Sequence, residues 1–205
     1  MRHWPHVSNE EWRAGQILTQ LCLIETRSKP HNVKRTIMFA ALILICAFAI
    51  YLYAHHNWNS LPAGITIDRI VVEKSARRLL MFRDGNQIKT YRIALGRNPL
   101  GAKQEEGDMK TPEGIYKIDG RNPQSNFHLA LHVSYPSDED DKRAATRGVS
   151  AGFDIMIHGI QNGRGWIGAF HRWKDWTAGC IAVTDEEIEE LWRVTPDGTT
   201  IEIRQ

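Results

Sequence analysis

Cys180 is the residue in this chain best suited to covalent chemistry. It lies in "DWTAGCIAVT", directly after Gly179 and shortly before a helix start, in a turn whose backbone N–H groups could meet an oxyanion. A thiol needs a base to react near neutral pH. His158 supplies one, because it ends the apolar run "FDIMIHG" and is followed by Gly159. A side chain at a strand end before glycine is held rigidly and still faces a cleft. In this reading His158 takes the Cys180 proton and the thiolate attacks an amide carbonyl. The N–H groups of Gly179 and Cys180 then stabilise the oxyanion. An imidazolium–thiolate pair would lower the thiol pKa from its free value of about 8.5. On residue type alone, an inert buried cysteine stays open.

Other side chains compete or assist. His171 in "AFHRWKDW" is a rival base or a substrate-orienting group. His128 and His132 have an i, i+4 spacing, but on a strand that only puts them on one face, and no H-E-x-x-H accompanies them. No metal site is therefore assigned. His128, Tyr135, Trp166 and Thr177 are expected to line the substrate cleft, with Trp166, Trp173 and Trp176 as a lid. In "DEDDKRAATRG", Lys142, Arg143 or Arg147 could meet a peptide carboxylate, and Arg147 is taken as the substrate contact.

Which compartment these residues occupy decides what the thiol means. Thr36–Tyr53 runs for 18 residues without a charge, close to the roughly 20 needed to cross a bilayer as helix. Lys34 and Arg35 precede it, and "AHHNWNSLPAG" follows with neither Lys nor Arg, so the C-terminal part faces outward. Tyr51, Tyr53 and Trp58 suit an interfacial belt. A cleaved signal peptide is the alternative, although Leu52-Tyr53-Ala54 is a poor cleavage motif. The expected organisation is a cytoplasmic segment 1–35, an anchor 36–54, a linker 55–64 and a folded domain 65–205. A second reading starts translation at Val33, where "VKRTIMFAALILICAFAI" resembles a complete membrane-targeting N-terminus. Cys22 falls on the inner side and Cys46 within the apolar run. Cys180 thus has no disulfide partner in a compartment that favours disulfides. A net charge of +2 gives no reason to expect nucleic acid.

The exported part reads as mainly β with one or two short helices. "RRLLMFRDGNQIKTYRIALG" is strand, Asp84-Gly85 turn, strand. "TPEGIYKIDG", "FHLALHVSY", "FDIMIHG" and "TTIEIRQ" are further strands. Ser137 starts a helical turn, and Thr184 with Glu187 forms a capping box for "TDEEIEELWRV".

"IMIHG", "TAGCIAVT", "GDMKTPEGIYKI" and "NFHLALHVSYPS" occur in one chain, and together they resemble the L,D-transpeptidase catalytic domain, the YkuD-like family, in particular its YafK-like branch. The resemblance covers about residues 65–203. It implies a β-sandwich domain, here preceded by one N-terminal transmembrane helix, and a cysteine acyl-enzyme mechanism on peptidoglycan stem peptides that needs no cofactor. It implies that the Gly159 carbonyl orients His158. It places the domain in the periplasm on a bacterial inner-membrane anchor, with peptidoglycan and possible envelope-protein acyl partners. Two outcomes stay open: crosslinking transpeptidation, or hydrolysis by an L,D-peptidase; a non-catalytic cell-wall binder is a further alternative. Three departures stand out, one being that the stretch between His158 and Cys180 is longer than usual for the family. Ala178 occupies the position where the motif carries histidine, and Ala182 one where a polar residue is expected.

Overall fold

The computed structural model describes residues 30–56 and 59–205. The expectations for residues 1–29, including Cys22, and for Trp58 lie outside the described residues. Helix α1, Pro30–His55, contains Asn32–Tyr53, a 22-residue stretch long and apolar enough to cross a membrane. Ile37, Phe39, Leu44 and Phe48 on it are all exposed. A helix apolar all round suits lipid rather than a half-wet protein surface. A membrane span and a signal sequence share this property.

The remaining elements form one eight-stranded mixed sheet with two α-helices. The strands are β1 (Arg69–Glu73), β2 (Arg78–Arg83), β3 (Asn86–Arg92), β4 (Gly114–Ser125), β5 (His128–Val133), β6 (Met156–His158), β7 (Ile181–Ala182) and β8 (Thr200–Arg204). Their order is β3-β2-β1-β8-β4-β5-β6-β7. The β1/β8 and β6/β7 pairs are parallel and the rest antiparallel. Asp84 and Gly85 both take positive φ, 51° and 76°, as the tight turn between β2 and β3 requires. β4 joins the two halves of the sheet. Gly114–Lys117 pair with β8, whereas its later residues pair with β5 past a register shift at Ile118/Gly120. Such a bulge lets one strand bend from one sheet half into the other. Past β3, Ala94 exchanges both backbone hydrogen bonds with Ala182 of β7, at 3.0 and 2.8 Å. The two ends of the sheet therefore meet.

The core follows from strand alternation. β8 buries Ile201 and Ile203 and leaves their neighbours partly open. These side chains pack with Ile70, Val72, Leu79 and Met81. Helix α2 (Asp138–Ala145) and helix α3 (Asp185–Val194) both begin with reciprocal capping boxes, Ser137–Asp140 and Thr184–Glu187. α3 buries Ile188, Leu191 and Val194 completely, each contributing roughly 1.5–3 kcal/mol. Lys74, fully buried after β1, fastens the loop that leads to β4. Its ammonium donates to the carbonyls of Gly101 (2.6 Å) and Thr111 (2.9 Å) and to Glu113 (2.7 Å). That loop forms one wall against the Cys180 turn.

Candidate active site

β6 and β7 lie side by side and parallel, with Ile157 opposite Ile181 and His158 opposite Ala182. Ile157 and Ile181 are both wholly buried in the core. Side chains alternate along a strand, so His158 and Cys180, one residue removed from those isoleucines, share the opposite face. Both line the same cavity. Register alone brings the two candidate residues together from positions 22 apart in sequence.

His158 is 3% exposed. Phe127 packs against its ring at 4.6 Å between centroids, and Trp176 meets it edge-on at 5.6 Å. Its Nδ1 lies 2.7 Å from the Gly159 carbonyl. A carbonyl only accepts, so Nδ1 carries the proton and Nε2 keeps the lone pair of the neutral ring. Burial pushes the His158 pKa down to about 4, against the pull of that carbonyl. Gly159 is itself fixed: its N–H donates to the carbonyls of Phe127 and Leu129, and a Cβ there would come within 2.7 Å of Asp185.

Cys180 sits at the end of a braced turn. The Thr177 hydroxyl donates to the Cys180 carbonyl at 2.7 Å and accepts the Gly179 N–H at 3.1 Å. The expected oxyanion role of Gly179 N–H therefore needs correction for this state, because that donor is already used inside the turn. What Gly179 supplies is room. Its φ is 141°, and a Cβ would lie 2.7 Å from the Lys110 carbonyl. The Cys180 thiol donates to the Asp154 carbonyl at 3.4 Å. Burial raises the thiol pKa, with the Met156 N–H opposing and the Asp154 charge reinforcing the rise. The expected thiolate–imidazolium pair is corrected accordingly. At rest both partners are driven toward their neutral forms, as desolvation of each charged form requires.

The cavity holds about 750 Å³ and is walled by aromatic and basic side chains. Phe127, Phe170, Trp173 and Trp176 supply much of the apolar wall, and Arg97, Arg164 and Lys174 stand around it. No Asp or Glu lines it among the described residues, and none of the three cations has an ion pair there. One wall is a 3₁₀ segment, Gly165–Trp173, kinked at Gly168. Its exit is pinned by Asp175, which accepts the Leu95 N–H at 2.8 Å and pairs with Arg77 at 2.7 Å.

The cleft residues expected from sequence divide. Thr177 and His171 line the cavity with His158 and Cys180. His128, Tyr135, Trp166 and Arg147 do not. His128 pairs with Glu189 at 2.8 Å, and Tyr135 is buried with its hydroxyl donating to the Ala151 carbonyl. Arg147 donates to the Gln104 carbonyl, and Trp166 is exposed outside the cavity wall. Thr177 acts through its turn, since its hydroxyl is committed in both directions. Among the described residues no group of three His, Cys, Asp or Glu is placed to hold a metal. Sequence reasoning missed Phe127, Arg97, Arg164 and Lys174, which stand in the β4–β5, β3–β4 and, for the last two, β6–β7 connections with no spacing that marks them.

Residues 67–203 match the family model described as YkuD, the L,D-transpeptidase catalytic domain. YafK of Escherichia coli strain K12, provisionally named an L,D-transpeptidase, is 27% identical over 108 residues, which are 52% of this chain and 36% of YafK. Among solved structures, the helical cell shape determining protein Pgp2 from Campylobacter jejuni superposes with a TM-score of 0.52 at 23% identity, covering 77% of this chain and 55% of Pgp2. Its K307A mutant gives the same TM-score at 24% identity, covering 71% of this chain and 50% of that one. The likeness to Pgp2 carries the fold alone, and the chain spans only about half or less of these relatives' length.

Proposed function

We propose a function from one premise: this chain belongs to the L,D-transpeptidase catalytic-domain family. The reading is a cysteine-dependent acyl transferase of the bacterial envelope, acting on peptidoglycan stem peptides. Residues 65–205 form its catalytic domain, and Asn32–Tyr53 holds it to the inner membrane with that domain in the periplasm. The observation that carries it is the shared face of His158 and Cys180 over one cavity, with the lone pair left on Nε2.

The chemistry runs as two acyl transfers. His158 Nε2 takes the thiol proton as Cys180 Sγ attacks the donor amide carbon. The C–N bond breaks, the leaving amine takes that proton from Nε2, and a thioester remains on Sγ. An acceptor amine then gives its proton to Nε2 and attacks the thioester, releasing the thiol and forming the new amide. With water as acceptor the same site is a peptidase. Transpeptidation is the reading adopted here, because a cavity of about 750 Å³, walled in part by Phe127, Phe170, Trp173 and Trp176, has room for an acceptor stem beside the thioester. Arg97, Arg164 and Lys174, unopposed by acid, suit a substrate rich in carboxylates, as stem peptides are.

The test is to incubate the full chain in detergent with purified muropeptides and read the products by mass spectrometry. Crosslinked dimers that vanish in Cys180→Ala support the proposal. Products shortened by hydrolysis, without dimers, replace it with the peptidase reading. No turnover with Cys180 intact would favour a cell-wall binder.

A further inference from the structure

His171 carries a polar atom that the protein leaves unpaired. The residue is 8% exposed and lines the cavity beside His158. Trp176 Nε1–H donates to His171 Nδ1 at 3.3 Å. Nδ1 is thereby the acceptor of the neutral ring, and the proton resides on Nε2. Burial, the Arg172 charge and His158 together push the His171 pKa down to about 3, so the ring stays neutral. The Nε2 atom is buried and has no partner among the described residues. Native proteins seldom leave such a donor unused. Of the three such atoms among the described residues, the others being Arg172 Nε and Thr195 Oγ1, only this one belongs to a residue lining the cavity.

The acyl-transfer chemistry has a matching vacancy. A tetrahedral intermediate needs hydrogen-bond donors on its oxygen. Of the two N–H groups expected at the oxyanion, that of Gly179 is spent on Thr177, which leaves the Cys180 N–H alone, and Ala178 offers no side-chain donor as a second. Trp176 Nε1–H is spent on His171, and His158 Nδ1–H on Gly159. The His171 donor is covered in the free protein, so a substrate reaches it only as Gly165–Trp173 shifts. The two turns of that segment join at Gly168, with φ 50° and ψ −139°, a conformation that glycine adopts readily.

We propose that His171 Nε2–H, held in that tautomer by Trp176, donates to the carbonyl oxygen that Cys180 attacks and stays with it as it becomes an oxyanion. This rests on the reading of Cys180 as nucleophile and gives His171 a catalytic role distinct from that of the base His158.

Two reagents separate the roles. p-Nitrophenyl acetate acetylates a thiol through an oxyanion: the S–C bond forms, p-nitrophenolate leaves, and the thiol proton goes to His158. Iodoacetamide alkylates the same thiol by displacing iodide and forms no oxyanion. With the full chain in detergent, His171→Phe should slow acetylation of Cys180 about a hundredfold while alkylation stays at the wild-type rate. His171→Gln places an amide N–H near Nε2 and should regain much of the loss. His171→Asn, whose amide reaches only the Nδ1 position, should not. Equal acetylation rates in wild type and His171→Phe, or a parallel fall in alkylation, overturn the proposal alone. If His171→Phe fails to fold, equal rates in the Gln and Asn variants overturn it. A wild type that alkylates at Cys180 yet never acetylates overturns the nucleophile reading, and this proposal with it.

Discussion

The Thr177 hydroxyl donates to the Cys180 carbonyl at 2.7 Å while accepting the N–H of Gly179 at 3.1 Å. One buried hydroxyl thus closes the turn that presents the thiol. Thr177→Val keeps the shape and removes both bonds, leaving a buried N–H and a carbonyl unpaired at about 1–3 kcal/mol. The variant should lower the urea midpoint by a corresponding amount and slow turnover at least tenfold, since small misplacements of a nucleophile are costly. Thr177→Ser should retain most of both. Wild-type turnover in Thr177→Val would remove the turn brace from the account.

Gly179 faces a harder constraint. At φ 141°, with the Lys110 carbonyl 2.7 Å from the position of a Cβ, even alanine forces backbone to move on one side or the other. Gly179→Ala should abolish acetylation of Cys180 and reduce the yield of folded protein. Gly163→Ala is the control. It has a similar sign of φ but nothing within 4 Å, so it should lose stability only through its backbone conformation and keep its activity.

Arg97, Arg164 and Lys174 surround the cavity without an opposing carboxylate among the described residues. If they bind substrate carboxylates, methionine at any one of them should raise KM for muropeptides about tenfold or more and leave kcat nearly intact. Acetylation by uncharged p-nitrophenyl acetate should not change. A loss of kcat at constant KM would move these side chains from binding into the chemistry.

The resemblance carried by "IMIHG" and "TAGC" makes the His158–Cys180 pair legible in the sequence. The strand register explains why: residues on neighbouring parallel strands meet on one face whatever the length of the intervening insert. The hairpin at Asp84-Gly85, the Thr184–Glu187 capping box and the Ser137 cap were also legible, because each depends on residues within a few positions of one another. The cleft was less so. His128 and Tyr135 lie on or near β5 and looked suited to a binding face, but one is drawn to Glu189 and the other into the core. Such side-chain partners come from distant segments and leave no local pattern. Desolvation was equally invisible. A Cys–His motif says nothing about how much of each group is covered, and burial reversed the expected direction of the thiol pKa.

Burial of two neutral histidines should make the fold sensitive to acid. His158 is pushed down to about 4 and His171 to about 3, from an ordinary 6.5. Below pH 6.5 the unfolded chain takes up protons that the folded chain refuses, so stability rises with pH across this window. The contribution is fully present above 6.5 and is lost as pH falls toward 4 and below. Across its full range His158 accounts for roughly 3 kcal/mol and His171 for roughly 5 kcal/mol. Urea unfolding of the full chain at pH 7.5, 5.5 and 4.5 should show a falling midpoint, and His171→Phe should flatten that fall by about half. The thiol gives a second readout. With its pKa raised, Cys180 should alkylate slowly at neutral pH, with a rate still climbing beyond the ordinary thiol range. His158→Gln should leave that midpoint nearly where it is, since the resting imidazole is uncharged and lends the thiolate no support. Fast alkylation persisting at pH 6, and lost in His158→Gln, would instead restore the ion pair and place a proton on His158 at rest.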